Sequence, residues 1–192
     1  MTGRASLTPD YFERMFAGDP DPWNFETSAY EAAKFAASIA ALPQRSYRRA
    51  LDVCCANGVL TQQLAPRCAS LLALDVSETA LVRARRRNAD LPQVEFTAMT
   101  FPRDTPDGRF DLVVMSEVVY YWSSADIAAA AAWLATHLER GGDLLLVHWI
   151  GDTDYPQTGD EAVRRLRAAL PNMEALRADR TDKYRLDLWR MA

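Results

Sequence analysis

Apolar runs that end at or near a carboxylate set the rhythm of this chain. Residues 51–55 (Leu-Asp-Val-Cys-Cys) and 71–75 (Leu-Leu-Ala-Leu-Asp) are short and nearly continuous in their apolar character, the pattern of strands covered on both faces. Residues 110–115 and 143–149 repeat it, and 94–98 alternates as a shorter strand. Between them the period changes to that of helices. The spacing predicts one over 30–42, stopped before Pro43, one over 58–64 and one over 78–88. A longer helix opens at Ser123 with Asp126, carries Ile127, Ala131, Leu134 and Leu138 as a stripe, and is expected to end at Gly141-Gly142. Thr158 and Glu161 form a capping-box pair before a helix with Val163, Leu166 and Leu170 on one face, stopped by Pro171. Residues 173–179 and 184–191 close the chain as two strands. Strands alternating with helices predict an α/β fold: a doubly wound, mostly parallel sheet of seven strands with an antiparallel C-terminal edge.

Composition narrows the class. At 192 residues, half of them apolar, the chain is expected to form a single domain with its own core. The net charge of −4 argues against a nucleic-acid surface, which needs concentrated Lys and Arg. Arg83, Arg85, Arg86 and Arg87 form a basic run, read as the solvated end of a helix whose dipole favours cations. Three cysteines (Cys54, Cys55 and Cys68) make neither a disulfide framework nor a zinc spacing, so no metal is expected and the thiols are read as buried in a reducing compartment. Residues 1–10 lack the apolar core of a signal peptide and no apolar run approaches membrane length, so the expectation is a cytoplasmic protein without membrane partners. Residues 1–45 are rich in aromatics and prolines and are read as a helical, aromatic lid over a cofactor-binding core at 46–192.

The chemistry concentrates in residues 51–80. A strand ends beside Asp52, a turn opens a helix at Gly58, and a second strand ends at Asp75 about twenty residues on, where a ribose-binding acid is expected. Three readings fit this unit. A dinucleotide site requires glycine where the backbone meets the pyrophosphate, but Cys54, Ala56 and Val59 occupy those positions. A phosphate-free adenosyl cofactor makes a gentler demand, acid-x-G-x-G-x-G, which falls on Asp52, Cys54, Ala56 and Gly58, with only the last glycine kept. The third reading is a βαβ unit with no ligand. The second is preferred, because small side chains are tolerable where no pyrophosphate nests.

The chain resembles class I S-adenosylmethionine-dependent methyltransferases, which have a Rossmann-like fold, and more narrowly those of the nodulation protein S type. The resemblance rests on 21–30 (Asp-Pro-Trp-Asn-Phe-Glu-Thr-Ser-Ala-Tyr), 58–61 (Gly-Val-Leu-Thr), 116–121 (Ser-Glu-Val-Val-Tyr-Tyr) and 153–156 (Thr-Asp-Tyr-Pro). It implies S-adenosyl-L-methionine as cofactor and a small-molecule acceptor, an amine of an amino sugar or chitooligosaccharide. The alternatives are another small O- or N-nucleophile, or a cofactor-binding protein without transferase activity, to which a side chain at Cys54 crowding the methionine moiety would lead. The resemblance further implies that Asp52 lies near the methionine amino group, Asp75 accepts both ribose hydroxyls, and Val76 flanks the adenine. By the same likeness Met99 and Thr100 pack near it, Lys34 pairs with the methionine carboxylate, Ser116 lies beside the cofactor, and Trp23 and Tyr30 cap it. For catalysis the candidates are Glu117 and Tyr120 after the fourth strand and His148 at the end of the fifth, a histidine being able to titrate in the useful range. Tyr121, Asp154 and Tyr155 are the candidate acceptor contacts.

Overall fold

A computed structural model describes residues 4–192; the first three residues of the expected lid lie outside it. The chain runs α1 (Pro9–Gly18), α2 (Ala29–Ala41), β1 (Ala50–Val53), α3 (Val59–Leu64), β2 (Leu71–Asp75), α4 (Glu78–Arg87), β3 (Val94–Ala98), β4 (Phe110–Ser116), α5 (Ser124–His137), β5 (Leu138–Trp149), α6 (Gly159–Ala169), β6 (Met173–Arg180) and β7 (Tyr184–Met191). The seven strands form one sheet in the order β3-β2-β1-β4-β5-β7-β6. β1 to β5 pair in parallel, while β7 runs antiparallel to both β5 and β6, the expected edge.

Alternation along the strands divides the core. Leu51, Val53, Val113, Met115, Leu144 and Leu146 face one layer, where α5 and α6 supply Ile127, Leu134, Val163 and Leu166. Ala50, Leu112, Val114, Leu145 and Val147 face the other, against Phe35 of α2 and Leu60 and Leu64 of α3. The strand order reverses between β1 and β4, so the crevice beyond their carboxyl ends is where an open α/β sheet takes a ligand. Among the described residues, no helix is long and apolar enough to cross a membrane.

Three boundaries differ from the sequence expectation. β1 stops at Val53, because Cys54 turns left-handed at φ 60° and leaves the ladder. α5 ends at His137, not at the glycine pair; Leu138 is already extended, and residues 139–142 bulge within β5, with Gly141 at φ 72°. The expected helical lid, given no element bounds before residue 30, contains α1, whose start is marked by Pro9 in the first turn.

Candidate functional site

The turn after β1 is built from alternate left-handed residues: Cys54 at φ 60°, Ala56 at 51° and Gly58 at 76°. These are the three positions where the acid-x-G-x-G-x-G pattern calls for glycine, and only one is glycine here. L residues reach this region at a cost of about 1–2 kcal/mol, so backbone strain is concentrated at this turn. Gly58 has a further reason to be glycine. A Cβ there would lie 2.8 Å from Asn88 Nδ2 and 2.9 Å from Ala84 Cβ, so it permits α3 to start against α4. It does not line the cavity described next.

The turn is fastened to the end of β2. Asp75 accepts the Ala56 amide on Oδ2 and the Ser77 amide on Oδ1, both at 2.9 Å. Each carboxylate oxygen therefore keeps acceptor capacity for a ligand. Burial lifts its pKa to about 6, against the pull of those amides. Asp52 is also buried and accepts the Thr61 hydroxyl at 2.7 Å; burial lifts it to about 6 as well, and Asp75 adds to the rise.

Beyond the strand ends lies a cavity of about 350 Å³. The side toward the ends of β1 and β2 is walled by Cys54, Ala56, Asp75, Val76 and Thr100. Trp23 and Tyr30 close it from the N-terminal segment, with Ser116, Glu117, Tyr120, Tyr121 and Tyr155 opposite. Asp52 lines a smaller recess that Cys54, Ala56, Ser116 and Glu117 also border. The hydroxyls of Tyr30 and Ser116 and the Asn57 side-chain oxygen are buried without a partner among the described residues. Tyr155 stacks on Tyr120 (5.2 Å, 24°) and meets Tyr121 edge-on (4.7 Å, 71°), forming an aromatic wall. Burial pushes the Tyr120 and Tyr121 hydroxyls well above their usual pKa, so they stay protonated as donors.

Glu117 is held with unusual completeness. It follows β4 in the left-handed region at φ 57°. Its Oε1 takes the Lys34 ammonium at 2.5 Å; its Oε2 takes the Tyr120 hydroxyl at 2.5 Å and the Trp149 amide at 2.8 Å. Lys34 also lies 2.9 Å from Glu31. Burial works against the Lys34 charge, but Glu117 and Glu31 outweigh it and raise its pKa. Burial raises the Glu31 carboxyl, with Lys34 pulling it back.

Four residues expected at the site have other partners or positions in this structure. Lys34 is committed to two carboxylates, so it does not stand free for a methionine carboxylate. His148 does not reach the cavity: it is fully buried and accepts the Val119 amide on Nε2 at 3.2 Å, with burial lowering its pKa to about 4. That neutral, structural imidazole is ill placed to act as base. Met99 packs against the core and meets the site only through its amide, which donates to the Asp75 carbonyl at 2.9 Å. Asp154 is on the surface, paired with Arg4 at 2.7 Å, and is not part of the wall.

Other residues enter the site unannounced by the sequence. Glu31 was hidden because Ser28-x-x-Glu31 reads as a helix start; Ser28 does accept the Glu31 amide, but the carboxylate turns to Lys34 instead. Phe12 and Phe16 roof the cavity from α1, and Trp149 borders it from β5. α1 is held by Glu13, which accepts the Ser77 hydroxyl at 2.6 Å, those hydrogen bonds keeping its carboxyl below the usual range. The basic run is more than a solvated helix end. Arg83 donates to the Phe16 and Pro20 carbonyls, and Arg87 pairs with Glu26 and the Asn57 carbonyl.

A seven-stranded sheet in this order, with buried acids in the last residues of β1 and β2 and a cavity at the reversal point, has the architecture of a class I methyltransferase. Residues 8–147 match the family described as Nodulation protein S (NodS). Nodulation protein S of Bradyrhizobium diazoefficiens is 36% identical over 115 residues, 57% of this chain and 52% of that protein. Its counterpart in Rhizobium tropici is 33% identical over 134 residues, 69% of this chain and 56% of that protein. The chain thus spans about half the length of the curated relatives it matches. A solved structure of a putative methyltransferase from Pseudomonas syringae shares 34% identity with a TM-score of 0.73, over 85% of this chain and 99% of that one. The N-methyltransferase NodS from Bradyrhizobium japonicum, in complex with S-adenosyl-L-homocysteine, superposes with a TM-score of 0.79 at 22% identity, covering 95% and 97% of the two chains; this is a likeness of fold. The chain belongs to the nodulation protein S family.

Proposed function

We propose that this chain is an S-adenosyl-L-methionine-dependent N-methyltransferase acting on the amine of an amino sugar or a chitooligosaccharide-like acceptor. The reading is carried by Asp75, a buried carboxylate whose two oxygens are each oriented by one backbone amide and border the cavity. That arrangement suits a cis-diol. The rest of the wall suits a phosphate-free ligand. Asp75, Glu31 and Glu117 border the cavity against a single buried ammonium, Lys34, so a pyrophosphate would meet net repulsion there. The turn amides at Cys54 and Ala56 carry only small side chains, and the unpartnered Ser116 and Asn57 oxygens offer further acceptors for the methionine end. Family membership and the relatives described as methyltransferases support the same cofactor.

Bound here, S-adenosyl-L-methionine supplies a methyl group already activated by its sulfonium. What remains for the protein is placement and one proton. Asp75 would accept the ribose hydroxyls, Val76 and Thr100 would border the adenine, and Asp52 would face the methionine amino group from the adjoining recess. An amine arrives protonated near neutral pH and must lose that proton before it can attack. Glu117 is the group placed to take it. Its carboxylate faces the cavity, and Tyr120 and the Trp149 amide fix its orientation. Tyr121, Tyr155 and Trp23 offer aromatic faces to a sugar ring, and Phe12 and Phe16 of α1 cover the cavity, a wall that would hold the acceptor nitrogen close to and in line with the methyl.

The test is label transfer from methyl-labelled cofactor to glucosamine and de-N-acetylated chitooligosaccharides, with the fully acetylated forms alongside. Label on the free amines alone is expected. Label on the acetylated forms at the same rate overturns the amine assignment; cofactor binding with no transfer to any acceptor favours the binding-only alternative at Cys54.

A further inference from the structure

The ion cluster beside the cavity is unbalanced. Glu31, Lys34 and Glu117 contribute two carboxylates and one ammonium, with side chains 10%, 3% and 13% exposed. The other groups bonded to Glu117 are neutral, a tyrosine hydroxyl and a backbone amide. His148 is held uncharged behind Tyr120. Tyr30 carries the Lys183 ammonium over its ring at 4.9 Å, but Lys183 is exposed to solvent and screened. Arg103 is spent on Asp126, and the remaining ionisable groups toward the cofactor side, Asp52 and Asp75, are acids. A negative charge left over in a half-dry aromatic cavity costs stability. A cationic ligand would relieve it.

On the cofactor reading above, the reaction changes the charge of that ligand. The sulfonium cofactor carries a net charge of +1, and its thioether product is a zwitterion of net zero with otherwise almost the same shape. We propose that Glu31 is a specificity-determining residue, whose carboxylate gives the cavity the excess negative charge that favours the sulfonium cofactor over its thioether product. Lys34 neutralises one carboxylate and Glu31 supplies the second. Without Glu31 the cluster would be a neutral pair, and its charge would no longer favour one ligand over the other. The device therefore limits product inhibition and favours exchange of spent for fresh cofactor.

Titration calorimetry with S-adenosylmethionine and S-adenosylhomocysteine on wild type, Glu31→Gln and Glu31→Asp tests this. Glu31→Gln should lower the ratio of the two affinities ~10-fold, mainly by weakening the sulfonium ligand, as removal of one charge in a partly desolvated site implies. Glu31→Asp keeps the charge and should keep most of the ratio. An unchanged ratio in Glu31→Gln, or equal losses for both ligands, overturns the proposal. On the wild type alone, an analogue with a protonated amine in place of the sulfonium should bind like the cofactor; affinity equal to that of the thioether also overturns it. If wild type binds neither adenosyl ligand, the cofactor reading fails first and this inference with it.

Discussion

Replacing Ala56 by glycine should make the protein more stable, an unusual outcome for a residue at the edge of an active site. Ala56 sits at φ 51°, where its Cβ crowds the following carbonyl, a cost of about 1–2 kcal/mol for an L residue. Glycine removes that cost but gives the unfolded chain more freedom, a loss of about 0.4–1 kcal/mol. The net is a gain of about 0.5–1 kcal/mol. For a chain of this size that corresponds to a rise of roughly 1–4 °C in Tm. Ala56→Val is the matched opposite: a β-branched side chain in the left-handed region should lower Tm by several degrees. Both effects are read by thermal denaturation followed by circular dichroism, with and without S-adenosylmethionine. Because the Ala56 amide also donates to Asp75 at 2.9 Å, the glycine variant should retain cofactor binding. A glycine variant that melts below wild type would refute the strain argument.

Asp75→Ala should weaken cofactor binding at least tenfold by calorimetry; unchanged affinity would mean that the ribose does not sit there. In the wild type the same residue makes binding pH-dependent, because only the carboxylate accepts both hydroxyls: affinity should fall as pH drops through about 6. Stability should respond in the opposite sense. A folded pKa of about 6 against an ordinary 3.8 means that the contributions of Asp75 and Asp52 are complete below pH 3.8 and lost as pH rises through 6, on the order of 3 kcal/mol for each group. A flat binding profile between pH 5 and 7.5 would count against it. Glu117→Gln should cut kcat/KM by roughly 10²-fold or more at pH 7, with partial recovery at alkaline pH, where the acceptor amine is already neutral; a uniform loss at every pH would assign Glu117 to binding rather than proton transfer. His148→Gln should leave kcat nearly intact while costing about 1–3 kcal/mol of stability by urea titration, as expected for a buried acceptor of the Val119 amide. A selective collapse of kcat would restore His148 as a catalytic candidate.

The fold was legible because its signals are local. A strand such as 71–75 is apolar along its whole length, and a helix such as α6 announces its start through Thr158 and Glu161, so period and caps locate both without tertiary information. The misread boundaries lie where tertiary packing overrides local preference. Gly141-Gly142 has the composition of a helix stop, yet β5 pairs on both sides with β4 and β7, and the glycines serve the bulge that brings Leu138 opposite Phe110. Likewise α1 carries few helix signals beyond Pro9, and it is held by partners far along the chain: Ser77, Thr79 and Arg83.

The site divides along the same line. The position of Asp75 at the end of β2 beside the turn was legible because it depends on spacing along one βαβ unit, which the sequence displays directly. Lys34 was expected to pair with a methionine carboxylate, and its protein partners were not legible because they come from two distances at once: Glu31 three residues away on its own helix, and Glu117 eighty-three residues on, just after β4. A lysine at i+3 from a glutamate on a helix reads as a surface ion pair worth a few tenths of a kcal/mol. Only the sheet, by bringing the left-handed residue after β4 beneath α2, buries that pair and adds a second carboxylate to it. The charge that results is a property of three residues from two elements, and no window of the sequence contains it.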